Sequence, residues 1–235
     1  MIDCEVWWAR PLPGTDALTA LLTSAERERY ETYRREEDSR RFLTGRVLAK
    51  TAAGDRLGLP ASSVEFDATC EDCGKQHGPP RVVGGGVALS ISHSGDRVGV
   101  AVTSGEPVGL DVETTKRNAD DALLEYALNE RETAELAGLS ADERAAAFFV
   151  YWTRKEAVMK ATGRGLRIPL RSLTISAPHG KPELIASGED TLAPEATRMA
   201  DLDPGDGYRA AVAVLTGDEL SVVERWWEPS EVWRG

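Results

Sequence analysis

One predicted helix, which begins at Ser140 and ends at Gly163, constrains the fold of this 235-residue chain most. Ser140 and Glu143 have the spacing of an N-terminal capping box, and Gly163 is a typical helix stop. The run 145–151 between them is apolar. A helix with so little polar surface is expected to be buried, so the ionic residues that follow on it need partners.

Those ionic residues form a stripe. Trp152, Glu156 and Lys160 lie at i, i+4 and i+8, which places them on one face of the helix. One interpretation is a core tryptophan beside a simple helical ion pair, worth about 0.3–0.5 kcal/mol. The other is that a metal ion and a diphosphate are the partners of these charges.

A second apolar segment, 108–113, carries two more carboxylates. If it is a strand, Asp111 and Glu113 leave the same face because side chains alternate. The pair is also compatible with the solvated face of a half-buried strand. Together with Glu156 and a lysine, however, it forms a suitable set of groups for Mg²⁺-assisted phosphate chemistry, since Mg²⁺ prefers oxygen ligands.

Three segments in this order resemble one known family. They are Ser90-Ile-Ser-His-Ser-Gly, Gly109-Leu-Asp-Val-Glu and Trp152-Thr-Arg-Lys-Glu-Ala. Each is short, but the ordered set resembles 4′-phosphopantetheinyl transferases, and most closely their long, Sfp-type branch. The resemblance runs across most of the chain.

The resemblance implies an α+β fold of two similar halves related by a pseudo-twofold, with the site between them. Each half would be a small, mainly antiparallel sheet packed with helices. We place the halves at 1–104, with contacts to the phosphates of coenzyme A, and 105–235, with the metal site and the catalytic helix.

The resemblance also implies an activity. A holo-[acyl-carrier-protein] synthase type of enzyme transfers the 4′-phosphopantetheine arm of coenzyme A to a serine of an apo acyl or peptidyl carrier protein. The reaction depends on Mg²⁺ and releases adenosine 3′,5′-bisphosphate. Such enzymes activate polyketide, nonribosomal peptide or fatty acid synthases, and the long branch tends to act as a monomer. The sequence leaves open which carrier is the substrate and whether coenzyme A thioesters are accepted.

By the same resemblance, Asp111, Glu113 and Glu156 hold Mg²⁺. Glu156, Lys155 and Lys160 are the expected catalytic residues. Glu156 would take the proton of the carrier serine, directly or through water, while both lysines stabilise negative charge. Whether Glu156 is base, ligand or both stays open.

Coenzyme A contacts are implied at Arg27, Arg29, Arg41, Ser92, His93 and Lys155. The arginines would hold the 3′-phosphate, because a guanidinium donates two parallel hydrogen bonds. A solvated helix with Glu–Arg pairs would explain several of these arginines equally, and a histidine in a turn is often ordinary surface.

The sequence departs from the family at one point. Long-branch members commonly have Gly-Lys-Pro before the Ser-His-Ser segment, whereas this chain has Gly78-Pro-Pro. A backbone contact with the nucleotide is compatible with this change, but an ammonium contact from this position is not.

Three residues, Cys70, Cys73 and His77, could indicate zinc. A structural zinc site usually has four ligands, and only three are clustered here. Incidental loop cysteines are the alternative. With three cysteines in total, we expect no disulfides and a reducing compartment.

The net charge of −11 argues against nucleic-acid binding. No apolar run reaches the ~20 residues of a membrane helix, and the acidic start is not typical of a signal peptide, so we expect a cytoplasmic protein. Carrier docking is implied at 114–124, where Leu123 and Leu124 are either apolar contacts or core.

Two other functions fit isolated features. One is a Mg²⁺-dependent hydrolase of nucleoside diphosphates, which needs no acceptor protein. The other is a non-catalytic binding module that contains zinc.

Several predictions of secondary structure can be compared with the structure. The N-terminal half should contain a strand at 2–8, helices at 24–37 and 39–58, and a loop at 67–86. Strands at 87–92, 98–103 and 108–113 should form an antiparallel meander, with His93 in a turn. A helical stretch is expected at 123–136, and later strands at 173–176, 184–186, 208–214 and 220–226.

Overall fold

The computed structural model describes residues 1–70, 73–116, 119–164 and 167–229. The helices are α1 (Asp16–Thr19), α2 (Ser24–Glu31), α3 (Glu36–Leu57), α4 (Asp121–Ala127), α5 (Glu130–Glu135) and α6 (Ala141–Ala161). The strands are β1 (Ile2–Ala9), β2 (Phe66–Thr69), β3 (Gln76–Val82), β4 (Ala88–Ser94), β5 (Arg97–Thr103), β6 (Val108–Thr114), β7 (Leu173–Ile175), β8 (Leu184–Ser187), β9 (Thr197–Leu202), β10 (Tyr208–Leu215) and β11 (Leu220–Trp226). In these ranges, no helix is both long enough and apolar enough to cross a membrane.

The chain divides into two compact units. The N-terminal unit contains Cys4–Gly105 and the chain from Val223 onward, and the C-terminal unit contains Met1–Asp3 and Glu106–Val222. The predicted halves were 1–104 and 105–235. In the structure, the first three residues belong instead to the C-terminal unit, and the segment that begins at Val223 belongs to the N-terminal unit. Both units combine helices with small, mainly antiparallel sheets, so the fold class is α+β.

In the N-terminal unit, a four-stranded sheet has the order β11-β1-β5-β4. Helix α3 packs on β5 and β4, and Gly45 allows a close approach, since a Cβ there would lie 3.1 Å from Cγ2 of Ile91. The apolar face of α3, with Leu48 and Ala52, meets Val98 and Val100 in the core. The helix ends at Gly58 in the left-handed conformation, as its sequence predicts.

In the C-terminal unit, a three-stranded antiparallel sheet has the order β6-β10-β9. Helix α6 packs on β6 and β10. Phe148, Phe149, Val158 and Met159 of this helix are buried in the core of the unit. The predicted capping box is confirmed, because Ser140 accepts from the Glu143 N–H and the Glu143 carboxylate accepts from the Ser140 N–H.

Part of the predicted meander is wrong. Strands β4 and β5 pair as an antiparallel hairpin, which is confirmed, but β6 pairs with β10 in another sheet. His93 lies within β4 rather than in a turn. The alternation of residues identifies a strand but does not choose its partner, which is why a neighbour in sequence was assigned wrongly.

Other boundaries also differ from the predictions. The expected loop 67–86 contains the β2–β3 hairpin, whose Gly- and Pro-rich sequence is unusual for strands. Helix α2 ends early at Glu31, and the helical stretch near 123–136 is two short helices, α4 and α5. Strand β9 was not predicted, whereas the first strand, β10 and β11 were.

Gly109 sets the distance between β6 and α6. A Cβ at this position would lie 1.9 Å from the Ala157 carbonyl oxygen and 2.4 Å from the Ala161 nitrogen. Both are backbone atoms, which cannot rotate away as a side chain can. Only glycine therefore lets the helix lie this close to the strand.

We expect Gly109→Ala to lower the free energy of unfolding by about 3 kcal/mol, because the methyl group forces strand and helix apart. Gly217→Ala is the matched control, since a Cβ there meets nothing within 4 Å. Urea denaturation of both variants measures the effect. Equal stability of the two would contradict this account of the helix–strand contact.

Candidate active site

The two acidic residues of β6 face α6. A Cβ at Gly109 would point at α6. Asp111 and Glu113 lie two and four residues further along the strand, so they point to the same side, because side chains alternate along a strand. Asp111 is buried, whereas Glu113 is half-buried near the end of the strand. The predicted strand and the shared face of the two carboxylates are thus both present.

Lys160 joins the helix to this acidic strand. Its Nζ donates to Asp111 Oδ1 at 2.6 Å and to the Leu110 carbonyl at 3.0 Å. Because the side chain of Lys160 is 30% exposed, its ammonium can also be reached from solvent. Lys160 thus bonds to the strand, while its charge also acts on Glu156 four residues earlier on the helix.

Glu156 belongs to the same cluster. Its pKa is raised, first by burial and then by the negative charges of Asp111 and Glu113, while Lys160 opposes the shift. Three carboxylates thus share one neighbouring ammonium. In the described ranges, no three acidic, histidine or cysteine side chains are arranged to hold a metal ion as they stand.

Lys155 occupies a different environment from the one predicted. Its fully buried Nζ donates to Glu132, to the Ala127 carbonyl at 2.8 Å and to the Leu170 carbonyl at 3.0 Å. These three acceptors match the three hydrogens of an ammonium group. This geometry leaves Lys155 no hydrogen to donate to a phosphate.

Glu132 completes this buried pair. Its carboxylate also accepts from the Asn129 N–H at 3.0 Å, in the capping box of α5, and from the Ile175 N–H at 2.9 Å. Lys155 and Glu132 therefore connect α6 to α5 and β7. Sequence reasoning missed this role, although an ionic residue on an apolar helix indicated that a partner was needed.

Arg154 is a second residue whose role was missed. It is fully buried and forms two hydrogen bonds to Asp201, at 2.8 and 2.6 Å. It also donates to the Ser176 and Ala177 carbonyls, both at 3.0 Å. The guanidinium thus holds β9 and the loop after β7 against the helix.

Trp152 lies in an aromatic group. Its ring centroid is 5.8 Å from that of Phe148 and 6.5 Å from that of Tyr126. Leu124 is buried in the core of the unit, and Leu123 packs against that core. For these two leucines, the core interpretation therefore fits better than the carrier contact. Residues 117–118 of the predicted docking segment, 114–124, lie outside the described residues.

The N-terminal unit contains a cavity of about 150 Å³. It brings together three of the predicted coenzyme A residues, Arg29, Arg41 and His93. The other residues that line it are Tyr33, Phe42, Gly45, Arg46, Gly78, Pro80 and Ile91. The Gly78-Pro-Pro segment, where the sequence departs from the family, is thus part of the wall.

Arg27 and Ser92 lie elsewhere. Arg27 donates to the Thr19 carbonyl at 2.7 Å, and neither residue is among those that line the cavity. Ser92 is buried, and alternation along β4 turns it away from the face that carries His93. Arg46 was not predicted and does line the cavity.

The zinc interpretation stays a prediction, because the side chain of His77 lies outside the description. Within the described ranges, no group of three cysteine, histidine or acidic side chains stands ready to hold a metal ion. Cys73 is exposed and Cys70 half-buried, and no disulfide is present in the described ranges.

The match to a family model lies within the C-terminal unit, whereas the relatives align over most of the chain. The model of the 4′-phosphopantetheinyl transferase superfamily matches residues 107–213, which include β6 and α6. The chain is 32% identical over 212 residues to 4′-phosphopantetheinyl transferase HetI of a Nostoc species, an alignment that covers 88% of this chain and 86% of that protein. The chain belongs to the 4′-phosphopantetheinyl transferase family.

Two further relatives agree. A 4′-phosphopantetheinyl transferase of Bacillus subtilis is 30% identical, over 72% of this chain and 74% of its own length. The Sfp transferase of Bacillus subtilis strain 168 is 26% identical, over 91% and 92%. Among solved structures, holo-[acyl-carrier-protein] synthase of Thermotoga maritima aligns with 48% of this chain and 64% of its own, at 25% identity and a TM-score of 0.39. The resemblance drawn from the three segments is confirmed, and the protein is a phosphopantetheinyl transferase.

We expect Lys155→Met in this transferase to lower the free energy of unfolding by about 3 kcal/mol, because it leaves Glu132 buried without its cation. Lys181→Met is the control, since its pair with Glu183 is exposed and worth little. Urea denaturation measures both. A variant that kept wild-type stability but lost turnover would instead support the substrate contact that the resemblance implied.

Proposed function

We propose that this transferase moves the 4′-phosphopantetheine arm of coenzyme A to a serine of an apo carrier protein, with adenosine 3′,5′-bisphosphate as the leaving group. The serine oxygen forms a bond to the β-phosphorus as the diphosphate P–O bond breaks. The observation that supports this proposal is the cluster of Asp111, Glu113, Glu156 and Lys160, which lies within the segment matched by the family model.

The charge of this cluster fits Mg²⁺. Three carboxylates and one lysine carry a net charge of −2 when all are ionised. Burial first, and then the repulsion from Asp111 and Glu113, raise the pKa of Glu156. Asp111, Glu113 and Glu156 offer the oxygen ligands that Mg²⁺ prefers. When bound, the ion would neutralise charge on the diphosphate as the anhydride breaks.

The protein's own groups then divide the remaining work. Glu156 accepts the proton of the carrier serine, directly or through a water molecule, since a half-buried carboxylate with a raised pKa is a suitable base. Lys160 donates to the oxygens on which negative charge develops. Lys155 acts through Glu132, by fixing the rotation and position of α6.

In the N-terminal unit, the cavity lined by Arg29, Arg41 and His93 is proposed to bind the nucleotide end of coenzyme A. Arg41 is already held in place, because its Nε donates to the Gly95 carbonyl at 2.7 Å and its Nη1 to Asp38 at 2.9 Å. Gly78 and Pro80 form part of the cavity wall with backbone and apolar atoms. In this segment, members of the long branch commonly have a lysine.

Intact-mass analysis of an apo carrier protein tests the activity. After incubation with this transferase, coenzyme A and Mg²⁺, we expect the carrier mass to increase by one phosphopantetheine arm. Carriers from fatty acid, polyketide and nonribosomal peptide synthases should be compared. If coenzyme A is cleaved while every carrier keeps its mass, the hydrolase alternative replaces the proposal.

The role of Glu156 has its own test. We expect Glu156→Gln to lower kcat at least about 100-fold, because the amide cannot accept the serine proton, while coenzyme A binding measured by calorimetry stays nearly unchanged. Asp142→Asn, an exposed change in the first turn of the same helix, serves as the control. Wild-type turnover in Glu156→Gln would remove this residue from the mechanism.

A further inference from the structure

A cavity of about 390 Å³ in the C-terminal unit has no part in the proposed reaction. It lies between the first half of α6, the end of β9 and the start of β10, and the loop after β7 also lines it. Glu156 and Lys160 are not among its lining residues. Sites for small molecules commonly have volumes of roughly 300–1,000 Å³, so this cavity is large enough to be one.

The inner wall of this cavity is apolar. Ala147 and Ala210 are buried, and Val150 is half-buried. The wall also contains Thr153, whose hydroxyl donates to the Phe149 carbonyl at 2.9 Å within the helix. Since this hydroxyl is already used, a ligand meets mainly hydrocarbon groups here. The wall therefore favours a ligand with an apolar body.

Among the described residues, two carboxylates line the cavity, and both have partners. Glu143 accepts from the N–H and the hydroxyl of Ser140, at 3.0 and 2.6 Å, in the capping box of α6. Asp201 accepts two hydrogen bonds from Arg154, at 2.8 and 2.6 Å. Neither carboxylate therefore needs a cation from a ligand, and both repel a ligand of high negative charge.

Arg209 lines the cavity without a carboxylate partner. Its Nη1 donates to the Tyr208 carbonyl at 2.7 Å, but it forms no ion pair within the part of the chain that the structure describes. The other N–H groups of this exposed residue can therefore donate to a ligand. His179, which is also exposed, adds a ring nitrogen at the cavity. The polar groups that remain available thus favour an anion.

The pairing of β10 with β6 limits the charge of that anion. Arg209 lies directly opposite Glu113, and opposite residues of an antiparallel pair project from the same face of the sheet. With Glu113, Glu143 and Asp201 around one guanidinium, a dianion such as phosphate is disfavoured, because its second charge adds repulsion from these carboxylates. A single carboxylate suits the site better, since a guanidinium can bind it through two parallel hydrogen bonds.

We propose that this cavity binds a small molecule, an alkyl monocarboxylate of medium chain length. Arg209 binds the carboxylate, and the alkyl chain packs against Ala146 and Val150 of α6 and Leu202 of β9. The inference does not rest on the proposed function, because no residue that contacts the ligand in this way takes part in that function.

Nuclear magnetic resonance tests the site by chemical-shift titration of the isotope-labelled protein with octanoate. We expect saturable shifts at the amides of Val150, Leu202 and Arg209. Octan-1-ol has the same chain without the carboxylate, and acetate has the carboxylate without the chain, so each should bind at least about tenfold more weakly than octanoate. Absence of saturable octanoate binding, or equal affinity for either of the other two compounds, would overturn the proposal.

Two variants, whose folding is checked by urea denaturation, locate the ligand. Arg209→Gln removes the cation and should weaken octanoate binding at least about tenfold while leaving octan-1-ol binding unchanged. Ala146→Leu, at a half-buried helical position, keeps every charge and fills part of the cavity, so it should weaken the binding of both compounds. Arg131→Gln changes an exposed residue of α5 and is the control. Wild-type affinity for octanoate in either folded variant of the cavity would contradict the assignment.

Discussion

The close approach of α6 to β6 at Gly109 is the contact on which the rest of the C-terminal unit depends. It allows the helix backbone to lie directly on the strand. Asp111 and Glu113, two and four residues after Gly109 on β6, therefore face the stripe of the helix that carries Glu156 and Lys160. Asp111 then reaches Lys160 at 2.6 Å. With any larger residue at position 109, the same carboxylates and lysine would be present without meeting in this way.

The rotation of α6 about its axis is fixed by charge. Consecutive residues of a helix point about 100° apart, so Arg154, Lys155 and Glu156 face three different directions. Arg154 binds β9 and the loop after β7, and Lys155 binds Glu132 of α5. Glu156 is thereby left facing the acidic strand. Two buried cations with full sets of acceptors orient one carboxylate, which explains why three ionic residues follow one another on an otherwise apolar helix.

Local spacing predicted much of the fold and part of the site. Capping boxes, strand alternation and the face shared by Asp111 and Glu113 depend on neighbours in sequence, and these predictions hold. Contacts over long distances could not be predicted in the same way. Arg27 and Arg41 were expected to hold the same phosphate, but they lie on two helices, α2 and α3, with a break between Glu31 and Glu36. Arg46 was hidden among surface arginines because only the fold reveals its burial.

The two units carry opposite electrostatic imbalances on a chain with a net charge of −11. Beside the N-terminal cavity, the buried cations Arg46 and Lys50 outnumber Glu26, the carboxylate that pairs with them. In the acidic cluster of the C-terminal unit, carboxylates outnumber the ammonium. Under the proposed function, the ligand that meets each imbalance has the opposite sign, a phosphate of coenzyme A in the N-terminal unit and a divalent cation in the C-terminal unit. Net charge alone predicts neither site.

Binding of Mn²⁺ as a spectroscopic substitute for Mg²⁺ tests the account of the acidic cluster most directly. Electron paramagnetic resonance in the presence of coenzyme A should show one Mn²⁺ bound per chain. Asp111→Asn should weaken that binding at least about tenfold, because it removes one anionic ligand, while the exposed change Asp218→Asn should not alter it. Absence of saturable Mn²⁺ binding in the wild type, or equal binding in Asp111→Asn, would contradict the account.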